Sequence, residues 1–249
     1  MATTNIYEHR GYGRSALRTS DFVRRVYTYF TMGIVAAIGG GLSALYLSGS
    51  TSIGSGYDVV EIPSAVAFVA QHPFITMAGY FVSFMVASSL RFRPGVNLVA
   101  LVAYAFVTGL VIAPAVFVAQ IAASHGATLD ANPVRDAFLL TGAAFAGLTS
   151  YAMTTKRDLS LLGSFLNMGL WVLIGASLIG MFFHSSAFQL AISSVAVLIF
   201  GGLIVFDTAR IVRSGDDSDP VGAALQLFLD VVNLFINLLR ILSATSRDR

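Results

Sequence analysis

The chain of 249 residues is 56% hydrophobic and 11% charged, with a mean hydropathy of +0.77, whereas soluble domains carry about 25% charged residues. So much apolar surface cannot be buried inside a soluble domain of this size, but it suits a bilayer. A formal net charge of +2, with 15 Lys and Arg scattered along the chain, argues against nucleic-acid binding, and zero cysteines exclude disulfides, thiol catalysis and Cys-ligated metals.

Residues 1–21 are polar and carry Arg10, Arg14 and Arg18, with none of the apolar core of a cleavable signal peptide. They read as a mobile basic tail. A helix needs roughly 20 mostly apolar residues to cross the hydrocarbon. Seven stretches meet or approach that length: 22–47, 73–90, 96–117, 137–155, 161–183, 188–212 and 221–242. They make residues 22–243 one all-α, polytopic membrane domain, a seven-transmembrane-helix bundle, followed by a short tail at 244–249. The loop at 48–72 holds Gly54, Gly56 and Pro63 and suits a surface turn or a short interfacial helix. Small residues at helix-packing spacing (Gly33, Ala37, Gly41) suggest close helix contacts in the first span, and Gly201 with Gly202 in the sixth.

With the N-terminus cytoplasmic, eleven of the Lys and Arg fall inside (Arg10, Arg14, Arg18, Arg24, Arg25, Arg91, Arg93, Lys156, Arg157, Arg210, Arg213) and four outside (Arg135, Arg240, Arg247, Arg249). That asymmetry follows the positive-inside rule. The basic C-terminal end runs against it, and a re-entrant last segment would return that end to the inside. Short loops and no organelle signal point to a bacterial inner membrane.

Thirteen residues are acidic, and only Asp207 and Asp230 fall within spans. A carboxylate at a helix centre costs about 2.5–3.5 kcal/mol to insert, so such a residue belongs in the bundle interior or a wet cavity and is a functional candidate. Asp230 lies nine residues after Val221, about 13 Å at helical rise, and Asp207 about 8 Å before its own span ends. Both depths are measured from the loop joining the last two spans, so the two side chains can meet. Gln226, Asp230, Asn233, Asn237 and Arg240 are spaced 4, 3, 4 and 3 apart, which puts them on one face of the last helix. Such a stripe faces other helices or water. The Asn side chains equally suit interhelical hydrogen bonding, and the lesser alternative for Asp207 is a helix-end position at the headgroups.

Asp216, Asp217 and Asp219 read as a solvated acidic turn. The four histidines lack metal-ligand spacing, no P-loop or nucleophile-elbow pattern occurs in a fitting context, and Trp171 reads as a packing residue. Arg91 and Arg93, at the end of the second span, read as anchors, with one or other of them within reach of the aspartates from the same cytoplasmic side.

Four stretches carry a family likeness. Residues 137–170 contain TTKRDLS, residues 104–114 read YAFVTGLVIAP, residues 206–243 hold FDTARI and LQLFLDVVNLFINLLRILS, and FVRRVY opens the first span. Together they resemble the Bax-inhibitor family. The resemblance implies a bundle whose last helix is central and wrapped by the other six, and a pH-sensitive calcium leak gated by a proton-sharing pair, Asp207 and Asp230. These would also form a transient Ca²⁺ site, with Arg91 competing for one carboxylate. No cofactor is implied beyond Ca²⁺ as the permeant ion. A glutamate of the second helix in some members has no counterpart here, where that region offers only Tyr80. Intramembrane aspartyl proteases share the Phe206–Asp207 pair, but their Gly-x-Gly-Asp and Pro-Ala-Leu are missing, so no enzyme is expected. The remaining alternative is a non-transporting regulator that binds another membrane protein, such as a membrane-anchored protease, through the N-terminal tail.

Overall fold

Hydropathy dictates where this chain can cross a membrane. The computed structural model describes residues 4–53, 60–125, 132–180, 185–214 and 219–247 and places a helix at every predicted span. Helix α1 (Thr4–Leu42) closes in a π-helical turn at Ser43–Leu47. A hairpin follows, of β1 (Ser50–Ile53) and β2 (Val60–Pro63), paired antiparallel with Ser50 opposite Pro63. Next come the short α2 (Ser64–Gln71) and then α3 (Pro73–Leu90), α4 (Asn97–His125), α5 (Pro133–Thr154), α6 (Ser160–Gly180), α7 (Ser186–Ser214) and α8 (Pro220–Arg247). All but α2 are long and apolar enough to span, giving seven among the described residues.

The loop expected to hold a turn or a short helix thus holds a strand pair and the short helix α2, while Gly54 and Gly56 lie outside the described residues. Its base is stitched by Ser64 N donating to Gly49 O at 3.0 Å and Ala65 N to Ser48 Oγ at 3.2 Å. The polar tail departs from expectation: it is helical from Thr4, in continuity with the apolar part of α1, and no proline interrupts it. The last segment shows no break at which a re-entrant chain would turn. Helix α8 runs unbroken for 28 residues, about 42 Å at 1.5 Å per residue.

Helix α8 is the centre of the bundle. It packs directly on α1, α4, α5 and α7, while α3 lies outside against α4 and α6 outside against α7. Four helices wrap it where the resemblance implies six. Burial follows this arrangement: 44% of the α8 span is buried, against 6% of α3 and 11% of α6. The shared core joins Val26 of α1, Tyr104 and Ala105 of α4, Ile204 of α7 and Leu227 and Phe228 of α8. Outward-facing positions are apolar as well, because their solvent is lipid. Trp171 is one of them, 70% exposed on α6 and not packed in the core as its position in the sequence suggested.

Candidate functional site

Asp207 lies seven residues before the end of α7, and Asp230 lies eleven after Asp219, which precedes α8. The two helices are joined at that end, so their rises bring the carboxyl groups to a similar depth. Both residues are buried, at 8% and 6% exposure. Their side chains are close enough to hydrogen-bond to each other. Asp207 therefore faces the bundle interior. Asp230 Oδ2 has no hydrogen-bond partner, and neither has the fully buried Thr208 hydroxyl next to Asp207 in the chain.

The rest of the stripe follows α8 outward from the pair. Asn237 is buried, Gln226 and Asn233 are half-buried, and Arg240 is exposed at the far end. The two asparagine amides donate within α8 itself: Asn233 Nδ2 to Leu229 O and Asn237 Nδ2 to Asn233 O, each at 2.8 Å. Those amides bond within their own helix and not, as the interhelical alternative would have it, to a neighbour.

Arg91 is not at the carboxyl pair. Its Nε lies 3.3 Å from Asp219 Oδ2, and its guanidinium stacks over Phe92 at 4.6 Å. Asp219 in turn caps α8: Oδ1 accepts from Gly222 N at 2.7 Å, with Pro220 as the first helical residue. An Asp-Pro opening of this kind is a recognisable helix start, although the acidic run around it reads as a solvated turn. Asp216 and Asp217 lie outside the described residues. Along α8, Asp219 is about 16 Å from Asp230. The cation that does reach the pair is Arg210, whose Nη2 is 3.8 Å from Asp207 Oδ1 and also donates to Gln226 Oε1. Positive-inside reasoning grouped Arg210 with the anchors; its i, i+3 spacing from Asp207 was the signal available.

Two further features surround this end. Arg213 donates to Thr155 O at 2.6 Å and Arg157 O at 2.8 Å, fastening the TTKRDLS loop to α7. In that loop Ser160 N donates to Asp158 Oδ1 at 2.9 Å, and this bond holds the exposed carboxyl below the usual carboxylate range. Deeper in the bundle, Tyr104 O–H donates to Tyr80 Oη at 2.6 Å, and the Tyr104 ring meets Phe228 edge-on at 6.1 Å. Tyr80, the residue standing where a glutamate was sought, is thus half of a tyrosine pair.

The double role of Asp219 gives a first expected result. Asp219→Ala removes the cap and the Arg91 partner together and lowers the melting temperature in detergent, at a cost of about 0.5–2 kcal/mol for the cap. Asp219→Asn keeps an equivalent cap and loses only the ion pair, whose partners are 36% and 20% exposed and which is therefore worth no more than about 1 kcal/mol. If Asp219→Ala melts with the wild type, the cap contributes nothing.

Two carboxyl groups with a guanidinium at their edge can share a proton, bind that guanidinium or offer oxygens to a passing cation. Among the described residues no group of three or more His, Cys, Asp or Glu is assembled, so any cation held here also needs water or backbone oxygens.

Comparison with known proteins places the chain. The sequence profile described as "Inhibitor of apoptosis-promoting Bax1" matches residues 19–247, which include both aspartates. An uncharacterised protein of Campylobacter jejuni is 34% identical over 223 residues, covering 90% of this chain and 88% of that protein. The Golgi anti-apoptotic protein of vaccinia virus is 28% identical over 249 residues, covering 99% and 97%. Protein lifeguard 4 of Mus musculus is 37% identical over 118 residues, covering 47% and 50%.

Proposed function

This chain belongs to the Bax-inhibitor family, and from that premise we propose that it forms a pH-sensitive cation leak, gated by Asp207 and Asp230 and permeable to Ca²⁺. The observation that carries the reading is the meeting of two buried carboxyl groups on adjacent membrane-length helices. A structural pair of polar side chains is served as well by Asn, without the cost of an ionisable group in the membrane. A carboxyl pair gains a function that Asn lacks: it holds one proton between two acids and changes state when that proton leaves. Two carboxylates make a weak Ca²⁺ site, and weak binding suits conduction, because an ion must also leave. The first test is Ca²⁺ entry into proteoliposomes as a function of pH. Flux above that of protein-free liposomes, varying with pH, is the expected result, and flux indistinguishable from theirs rejects the leak.

In this reading the N-terminus and the α7–α8 connection face the cytoplasm of a bacterium. Cysteine introduced at Ser185 is then labelled from outside by a membrane-impermeant maleimide, and cysteine at Ser160 is not. The opposite pattern inverts the protein. Ser55, the matching position in the hairpin connection, lies outside the described residues.

The helical extension of α1 at 4–18 supports a second reading, that of a regulator docking another membrane protein through its N-terminal segment. These fifteen residues precede the membrane-length part and add about 22 Å of helix. Deleting 1–18 separates the two: a leak keeps its flux, and a regulator loses its partner.

A further inference from the structure

The positive charge beside the carboxyl pair comes from α7 itself. Arg210 sits three residues after Asp207, and its Nη2 bridges from 3.8 Å off Asp207 Oδ1 to Gln226 Oε1 on α8. Gln226 lies four residues before Asp230. One helical step on each of two helices thus converges on a single guanidinium. The Arg210 side chain is 48% exposed, so protein encloses it on one side only, and the Gln226 carbonyl oxygen is what keeps it beside Asp207.

No other cation among the described residues contends for the site. The charges acting on the two carboxyls are each other and Arg210. Arg91 is engaged with Asp219, Arg24 with Asp21, and Arg213 with the carbonyls of Thr155 and Arg157.

We infer that Arg210, positioned by Gln226, is the resident cation of the aspartate pair and that a divalent cation reaching Asp207 must displace it. A guanidinium and a hard divalent ion seek the same carboxylate oxygen, and their like charges exclude joint occupancy at this range. Arg210 can leave because its side chain is half exposed near the end of α7, whereas the pair behind it is buried. Arg210 then acts as a positioning residue that sets how much Ca²⁺ the site requires. The inference rests on the proposed function only for what displacement leads to; the competition itself is a binding property.

The test is a Ca²⁺ titration of thermal stability on the full chain in detergent, since an ion that binds only the folded state raises the melting temperature with concentration. Arg210→Gln is expected to lower the half-saturating Ca²⁺ concentration by about two- to fivefold, the scale of a partly exposed ion pair. Arg210→Lys, which restores the charge, and Arg93→Gln, which removes an exposed arginine elsewhere at this end, stay close to wild type. In an Asp207→Asn background, Arg210→Gln produces no further change. If Arg210→Gln fails to fold, Gln226→Leu releases the same guanidinium and shifts the titration in the same direction. Ca²⁺ flux measured in parallel separates the two claims: the binding shift without flux in any variant keeps the competition and discards the leak. Flux accompanied by an unshifted titration in Arg210→Gln overturns the resident-cation assignment. So does a shift that survives Asp207→Asn, or an absence of Ca²⁺ stabilisation in every variant.

Discussion

Asp207→Asn and Asp230→Asn should each abolish the pH dependence of Ca²⁺ flux while leaving the protein folded. With one proton shared, a carboxyl–carboxylate hydrogen bond ties α7 to α8 at the end where the two helices are joined. When that proton leaves, two buried like charges face each other and the tie becomes a repulsion. Flux in the wild type is therefore expected to rise as pH rises through loss of the shared proton. A single proton limits the slope to at most about tenfold per pH unit. Asn reproduces the shape and hydrogen bonding of a neutral Asp and cannot ionise, so either single variant stays tied across the titration. Its flux is low and flat, and the double variant is expected to match the singles, because the singles already remove the switch. Size-exclusion profiles and melting curves close to wild type would show that the bundle is intact. Wild-type and double-Asn proteins with superimposable flux–pH curves would leave the aspartates as structural residues.

What was legible beforehand divides along physical lines. The seven spans were read correctly because crossing a bilayer requires a long apolar run, and hydropathy measures that locally. That α8 turns one face away from lipid followed from the polar stripe at helical spacing, whereas its central position came from the family likeness. Asp207 and Asp230 could be brought together because both depths are counted from one short connection, which fixes their common level. Partner choice was another matter. Arg91 is tied to the aspartates by the family likeness and by its end of the membrane, but the cap of α8 presents Asp219 to it in this structure, and cap geometry depends on how a loop closes. Arg210 was grouped with the topology anchors because the positive-inside rule weighs charges by side and says nothing about neighbours. Trp171 reads as a packing residue from its place within a span, but that place does not say which way it faces in a membrane, where inside and outside are both apolar. The six-fold wrapping of α8 came from the family likeness, whereas α3 and α6 are in fact the outermost spans.

Gly40→Ala and Gly109→Ala should each destabilise the bundle strongly, by about 1–3 kcal/mol or more on the scale of overpacking, whereas Gly39→Ala should not. A methyl group at Gly40 would run into the Phe106 carbonyl of α4, and one at Gly109 into the Ala37 carbonyl of α1, with Gly41 N 2.7 Å away. Both obstacles are backbone, so neither can rotate aside and the helices must separate. At Gly39, one residue away, a methyl group meets nothing within 4 Å, and the change brings only the helix propensity of Ala, up to about 1 kcal/mol in its favour. The Gly33, Ala37, Gly41 spacing correctly marked α1 as a close-packing helix. The positions here where a methyl group meets backbone, however, are Gly40, against Phe106 of α4, and Gly109, against Ala37 of α1, since neighbours on different helices are set only by the fold. Separation would spread beyond α1 and α4, because Gly33 lies against Phe228 of α8 and α1 and α4 are two of the helices that hold α8 in place. Both clashes arise at one crossing, so the spreading that relieves the first also relieves the second. The double variant should therefore be less destabilised than the sum of the singles. Melting temperatures of the three single variants and the Gly40→Ala/Gly109→Ala double in one detergent measure all of this. Single variants at Gly40 and Gly109 that melt with Gly39→Ala would mean that α1 and α4 do not approach this closely.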